Sequence, residues 1–336
     1  MQTSYTVNDF KSDQYVRWCP GCGDHALLNS IQRAMAEIGV SPDNTAVISG
    51  IGCSSRLPYY VNTYGFHTIH GRASAIATGV KVANPRLAVW QITGDGDCLA
   101  IGGNHFIHAV RRNVDINIVL VNNGIYGLTK GQYAPTSKRG FISKSSPYGT
   151  IEDPFNASNL CLGAGGQFFA RILDTDLKNS QEVLKLAAQH KGCSVVEALV
   201  NCVIFNDGTH KEVSAKEVRE DHTIFLRHGE PMIFGKDRDK GLIVDGFKLK
   251  VVKIGENGIT ENDILVHDAK CPDKTLHFKL GHMRGPELPL ALGVIRDTEA
   301  PVYDEEVYTQ FEEIKPKRNY KSLNDFFMSL ETWEIK

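Results

Sequence analysis

Four short, continuously apolar runs constrain this chain more than any other feature. They are TAVISG (45–50), RLAVWQIT (86–93), DINIVLV (115–121) and CSVVEALV (193–200), and the first three run into turns rich in Gly, Asp or Asn. They are too short for buried helices and lack the polar alternation of a half-exposed strand, so they read as strands buried on both faces. Helical patterns fall between them. GRASAIATGVKVA (71–83) is a small-residue helix suited to close packing, and further helices are expected near 103–112 and 180–190. Strands of this kind separated by helices imply the α/β class, with a parallel sheet covered by helices on both faces. Such sheets bind ligands beyond the carboxyl ends of their strands, which directs attention to the turns.

Upstream, Leu27, Leu28, Ile31, Met35 and Ile38 recur at helical spacing, with Asp24 expected as the cap and Gly39 as the stop. The character changes after about Asn206. GLIVDGFKLKVVKIGENGI (241–259) reads as paired strands, TLHFKLGHM (275–283) as another short strand, and the charged tail from Tyr303 as a modest terminal helix. The expected division is a ligand-binding domain over 1–206 and a C-terminal extension over 207–336 that docks or contacts a subunit. A formal net charge of −2 gives no nucleic-acid footprint. No apolar run approaches the ~18 residues of a membrane span, and the polar start lacks a secretory segment. A cytoplasmic setting is expected, with neither nucleic acid nor membrane as partner.

Two turns carry the first chemical signal. ITGDGDCLAIGG (92–103) and LVNNGIYGL (120–128) close consecutive strands, with 25 residues between Gly-Asp-Gly and Asn-Asn. A divalent cation with oxygen ligands can bridge a diphosphate to the chain. Asp95 offers a carboxylate, Asn123 an amide oxygen and Ile125 a backbone carbonyl. Gly94 and Gly96 allow close backbone approach, and the amides of Gly96 and Asp97 can point at phosphate from a helix start. The pair resembles the thiamine diphosphate-binding signature.

The eight cysteines carry the second. WCPGCGDH (18–25) aims Cys19 and Cys22 at one point, Cys53 follows a strand in SGIGCSSR (49–56), and Cys202 follows another. Four such thiolates could hold a [4Fe–4S] cluster or a zinc ion, and spacing does not separate the two. Cys98, Cys161 and Cys193 sit among apolar residues and read as small buried hydrophobes. His25, His67, His105 and His108 read as ordinary helix or loop histidines.

Taken in order, WCPGCG, GIGCSSR, IHGRASAIATGVK, ITGDGDCLAIGGNH, LVNNGIYGLTKGQYAPTS and NCVIFND resemble the β subunit of 2-oxoacid:ferredoxin oxidoreductases, as do GKDRDKGLIVDG and LALGVIRD. The resemblance implies a thiamine diphosphate-binding fold. It implies Cys19, Cys22, Cys53 and Cys202 as ligands of a [4Fe–4S] cluster, and Asp95, Asn123 and the Ile125 carbonyl as ligands of Mg²⁺. Ile51, Gly52, Cys53, Ser54, Gly96, Asp97, Gly127 and Leu128 match cofactor-lining positions, and His70 stands where it could donate to the diphosphate.

The implied reaction oxidatively decarboxylates a 2-oxo acid, passing electrons through the cluster to ferredoxin and the acyl group to coenzyme A. The glutamate that activates the cofactor is expected on an α subunit, so the chain alone is expected to be inactive. LTKGQ (128–132) looks like the 2-oxoglutarate version, with Lys130 or Arg56 facing the distal carboxylate. Lys130, His70 and Arg56 are thus the candidate catalytic side chains. The alternatives are the same chemistry on pyruvate, a branched-chain 2-oxo acid or indolepyruvate, a non-catalytic zinc or iron–sulfur protein, and a non-oxidative thiamine decarboxylase.

Overall fold

A computed structural model describes residues 4–318 and 320–335. The first half alternates as the apolar runs require. It comprises α1 (Asp24–Ile38), β1 (Thr45–Ser49), β2 (Tyr64–His67), α2 (Ala73–Ala83), β3 (Ala88–Gly94), α3 (Gly103–Arg112) and β4 (Asn117–Asn122). A small hairpin of β5 (Ile125–Tyr126) and β6 (Gln132–Tyr133) follows, then α4 (Ala157–Gly163), β7 (Phe168–Leu173), α5 (Leu177–Gln189) and β8 (Ser194–Leu199).

The remainder begins with two short helices, α6 (Lys211–Ser214) and α7 (Arg219–His222). After them come β9 (Thr223–Leu226), β10 (Ile233–Phe234), β11 (Lys240–Asp245), β12 (Lys248–Lys253), α8 (Thr275–His282), β13 (Leu290–Asp297), α9 (Tyr303–Ile314) and α10 (Leu323–Met328).

Eight strands form one sheet in the order β2-β1-β3-β4-β8-β7-β13-β9. The first six are parallel; β13 runs antiparallel to β7 and parallel to β9. Strand alternation divides the core in two. Ile48, Val89, Ile118, Leu120 and Val195 pack with Phe106 and Ala109 of α3 on one face. Val47, Trp90, Val119, Val121 and Val196 pack with Ile31 and Met35 of α1 and Leu184 of α5 on the other. Each run is apolar throughout because both of its faces are covered.

Three local expectations are corrected. Gly23, not Asp24, is the cap position of α1 and no side chain caps it; Asp24 lies inside the first turn and is buried. Gly39 does end the helix, in the left-handed conformation at φ 75°. Residues 275–282 are a helix, not a strand. The apolar alternation of Leu276, Phe278 and Leu280 suggested period two, but the buried positions are His277, Leu280 and Gly281, at helical spacing. His277 is drawn inward because its Nε2 meets the Asp268 carbonyl at 2.8 Å and its Nδ1 accepts from Arg296 at 3.0 Å. The tail carries two helices, α9 and α10, where one was expected. Residues beyond 206 also supply β9 and β13 to the main sheet, besides the separate sheet β10-β11-β12 that contains the expected strand pair.

Candidate functional site

The pairing of β3 with β4 sets Gly94 opposite Val121, so the two chemical turns leave the sheet side by side. Asp95 is buried there. Its Oδ1 accepts from the Gly96 amide at 2.9 Å and its Oδ2 from the Gly124 amide at 3.0 Å and the Thr136 hydroxyl. Burial pushes the Asp95 carboxyl up to about 6, against the pull of these donors. Asn123 Oδ1 accepts from the Ile125 amide at 3.1 Å, and the Asn123 carbonyl accepts from Asn206 at 2.9 Å. Asp95 and Asn123 therefore lie just beyond neighbouring strand ends, their side-chain oxygens accepting from nearby backbone amides.

Asp97 turns the other way. Its buried carboxylate accepts from the amides of Ile51 (3.0 Å) and Gly71 (2.7 Å), from His70 Nδ1 (2.7 Å) and from the Thr93 hydroxyl (2.7 Å). One side chain thereby ties together the loop after β1, the loop before α2 and the end of β3. With Nδ1 donating to Asp97, the Nε2 of His70 is the ring nitrogen left for a ligand. The geometry also fixes Gly50, where a Cβ would lie 1.7 Å from Asp97 Oδ2. Gly96 answers to Tyr126. A Cβ there would stand 2.1 Å from that ring, and the Tyr126 hydroxyl donates to the Gly96 carbonyl at 3.0 Å.

After β1, Ile51, Gly52 and Cys53 are half-buried and Ser54 is buried. The cysteines gather beside this loop. The Cys22 amide donates to the Cys19 carbonyl at 3.1 Å, closing the tight turn, and Gly21 packs on Val203. Gly127 sits between the other two, since a Cβ there would lie 3.5 Å from Cys53 Sγ and 3.6 Å from Cys202 Sγ. Burial pushes the Cys53 thiol up to about 11, reinforced by Asp24, Cys202 and Cys19 and opposed by Arg56. Burial, Asp24, Cys202 and Cys53 push Cys22 up as well, partly offset by the Asp24 amide. The four thiols share one neighbourhood, each within the electrostatic reach of others.

Among the described residues, no three His, Cys, Asp or Glu side chains form a ready cage for a single ion. A zinc ion, with Zn–S bonds of about 2.3 Å, draws its sulfurs within about 4 Å of one another. A four-iron cluster likewise takes four thiolates, so the gathered cysteines fit either group. At Asp95, one carboxylate with an amide oxygen and a carbonyl suits Mg²⁺, which takes its remaining ligands from phosphate and water.

The two expected substrate cations and the expected cofactor-lining Leu128 lie on the turns that follow. Lys130 and Leu128 are exposed in the turn after β5, with Lys130 held in the left-handed region at φ 72°; Arg56 is half-buried in the helical turn after Cys53. Thr136, the partnerless burial of Asp24 and the inward role of Asp97 were not read from the sequence. Asp24 Oδ1 is buried without a partner, and burial pushes its carboxyl up to about 7. Thr136 does fall in the quoted segment LVNNGIYGLTKGQYAPTS, but nothing in the letters aims it at Asp95. Cys98, Cys161 and Cys193 are fully buried, as expected of small hydrophobes. No helix among the described residues is long and apolar enough to cross a membrane.

Residues 50–198 match the family described as "Thiamine pyrophosphate enzyme, C-terminal TPP binding domain". Over 303 residues the chain is 50% identical to the 2-oxoglutarate oxidoreductase subunit KorB of Mycobacterium tuberculosis, covering 90% of this chain and 80% of that one. It is 47% identical over 185 residues to the 2-oxoglutarate synthase subunit KorB of Archaeoglobus fulgidus, covering 55% and 69%. A solved structure of 2-oxoglutarate:ferredoxin oxidoreductase from Magnetococcus marinus, with 2-oxoglutarate, coenzyme A and succinyl-CoA bound, is similar at a TM-score of 0.77. That match has 33% identity and covers 97% of this chain and 96% of the other.

Proposed function

The chain belongs to the β subunits of the 2-oxoacid:ferredoxin oxidoreductases, and from that premise we propose that its substrate is 2-oxoglutarate. The reaction takes 2-oxoglutarate, coenzyme A and two oxidised ferredoxins to succinyl-CoA, carbon dioxide, a proton and two reduced ferredoxins, or runs in reverse. The observation that carries this reading is Gly127, which lies in the turn following the Asn123 oxygen donor and against the sulfurs of Cys53 and Cys202. That arrangement supports a carbon-bond site and an electron acceptor side by side.

When bound, thiamine diphosphate supplies the nucleophilic carbon for decarboxylation, Mg²⁺ neutralises its diphosphate, and a [4Fe–4S] cluster takes electrons singly. Asp95, Asn123 and the Ile125 carbonyl would hold the magnesium. Ile51 to Ser54, Gly96, Asp97, Gly127 and Leu128 would line the cofactor, with His70 beside its diphosphate. Cys19, Cys22, Cys53 and Cys202 would hold the cluster, with Cys53 common to both sites. Lys130 and Arg56 are the cations available to the distal carboxylate of a dicarboxylic substrate.

The α subunit would contribute the activating glutamate. Residues 1–206 would carry the cofactors, and 207–336 would complete the sheet and make subunit contacts. The enzyme would work in the cytoplasm.

The test is anaerobic co-purification with the α subunit, followed by metal, sulfide and thiamine analysis and by turnover on 2-oxoglutarate, pyruvate, a branched-chain 2-oxo acid and indolepyruvate. Preferred turnover of 2-oxoglutarate by a brown complex is expected. A colourless zinc protein would overturn the cluster, and turnover by the β subunit alone would overturn the need for α.

A further inference from the structure

One edge of the main sheet is open. β2 is its terminal strand, paired only with β1 on its inner side, and all four of its residues are exposed. Tyr64 and Phe66, two positions apart and so on one side, are 65% and 48% exposed; Ile69, just beyond, is 78% exposed. Tyr59 sets its ring 6.2 Å from that of His67, and exposed Ile76 and Ile101 carry the apolar surface onto the neighbouring helical turns. An exposed apolar edge strand invites pairing, and proteins that keep such edges free blunt them with Lys, Pro or a bulge. YGFH has none of these.

Charge narrows the partner. From Asn44 through Gly94 the sequence has no Asp or Glu, whereas Arg56 and Arg72 fall in the segments on either side of this strand. A second copy docked by two-fold symmetry would set the patch bearing Arg56 and Arg72 against the same patch, with like charges opposed. A different chain bearing carboxylates would not suffer this. The surface is also continuous with the candidate site. The Arg72 amide donates to the Ile69 carbonyl at 3.0 Å, and Gly71 packs so closely that a Cβ would lie 2.6 Å from Ile101 Cγ2. Between them is His70, the side chain held by Asp97.

We propose that the β2 edge, with Tyr59, Phe66, Ile69 and the start of α2, is the docking surface for the α subunit, which meets it with an apolar segment flanked by carboxylates. This rests on the reading that the chain works with an α subunit.

The test uses the full chain co-expressed with α. Phe66→Asp and Ile69→Asp should weaken α binding at least tenfold, while the free variants keep the wild-type melting temperature because both side chains are exposed. In the wild-type complex, amide exchange over residues 64–72 should slow on α binding. Variants that bind α normally, or wild-type exchange there that α leaves unchanged, would overturn the docking site; the exchange measurement decides even if a variant misfolds. So would a β–β dimer that the variants dissolve while α stays bound. If the complex forms and turns over through all this, only the docking surface is lost. Turnover of 2-oxoglutarate by the wild-type chain without α would instead reject the reading beneath it.

Discussion

Asp95 and Asp97 stand two positions apart at one strand end and meet different partners. Asp95 accepts from Gly96, Gly124 and Thr136 around the two turns; Asp97 spends its carboxylate on four donors from two loops and the end of β3. Asp97→Ala leaves two backbone amides and a hydroxyl unpaired in a buried site, and should cost roughly 3 kcal/mol or more in denaturant unfolding. Asp95 gives a pH signature instead. Burial raises its carboxyl from 3.8 to about 6. The cofactor-free fold binds the extra proton in that window, so its contribution to stability falls as pH rises from about 4 to 6. A cation binds the ionised form. The rise in melting temperature given by Mg²⁺ and thiamine diphosphate should therefore grow as pH increases through about 6, and Asp95→Asn should abolish most of it. The sequence made both acids visible. Which one faced inward depended on Gly50, Ile51, His70 and Gly71 arriving from elsewhere in the chain.

At the scale of elements, one buried side chain fastens several of them. Arg171 of β7 donates from Nε to Glu197 of β8 at 2.7 Å, from Nη1 to the Ala291 carbonyl of β13 at 3.1 Å, and from Nη2 to the Gly281 carbonyl of α8 at 3.2 Å. Burial alone would raise the Glu197 carboxyl, but Arg171 and the Asn122 amide outweigh it and hold it below its ordinary range. Arg171→Met should destabilise by about 3–5 kcal/mol, because Glu197 would stay buried and charged without its partner. Calorimetric or denaturant unfolding would measure it.

His267 reports on the same junction, donating to the Val294 carbonyl of β13 at 2.8 Å. Burial holds its pKa at about 4, below the ordinary 6.5. The unfolded chain therefore takes up the proton first, and stability should be lost as pH falls from about 6.5 to 4, by up to ~3 kcal/mol. His267→Gln should flatten that part of the stability profile. None of these junctions shows in the letters of 275–283, where a strand-like alternation conceals a helix fixed by His277.

Across the whole molecule, the sheet does not respect the change of character near Asn206. β13 pairs with β7 and β9 pairs with β13, so residues after 206 cover an edge that would otherwise be open. A chain ending at Asn206 should fail to melt cooperatively, because the β7 edge and the apolar faces under α8 would be exposed. A chain ending at Lys317 keeps every strand and should melt within a few degrees of the full chain, since the side chains of α10 are exposed. Circular dichroism melts of both would decide.

The sequence by itself determined the α/β class, the parallel strands and the two turns at their ends, because strand burial and turn chemistry are written in consecutive residues. Only the tertiary structure decided which acid ties the loops together, that Gly127 lies against two cysteines, that 275–282 is helical, and that the C-terminal region completes the sheet. Those outcomes depend on contacts between residues far apart in the chain, and local pattern carries no information about which distant groups will meet.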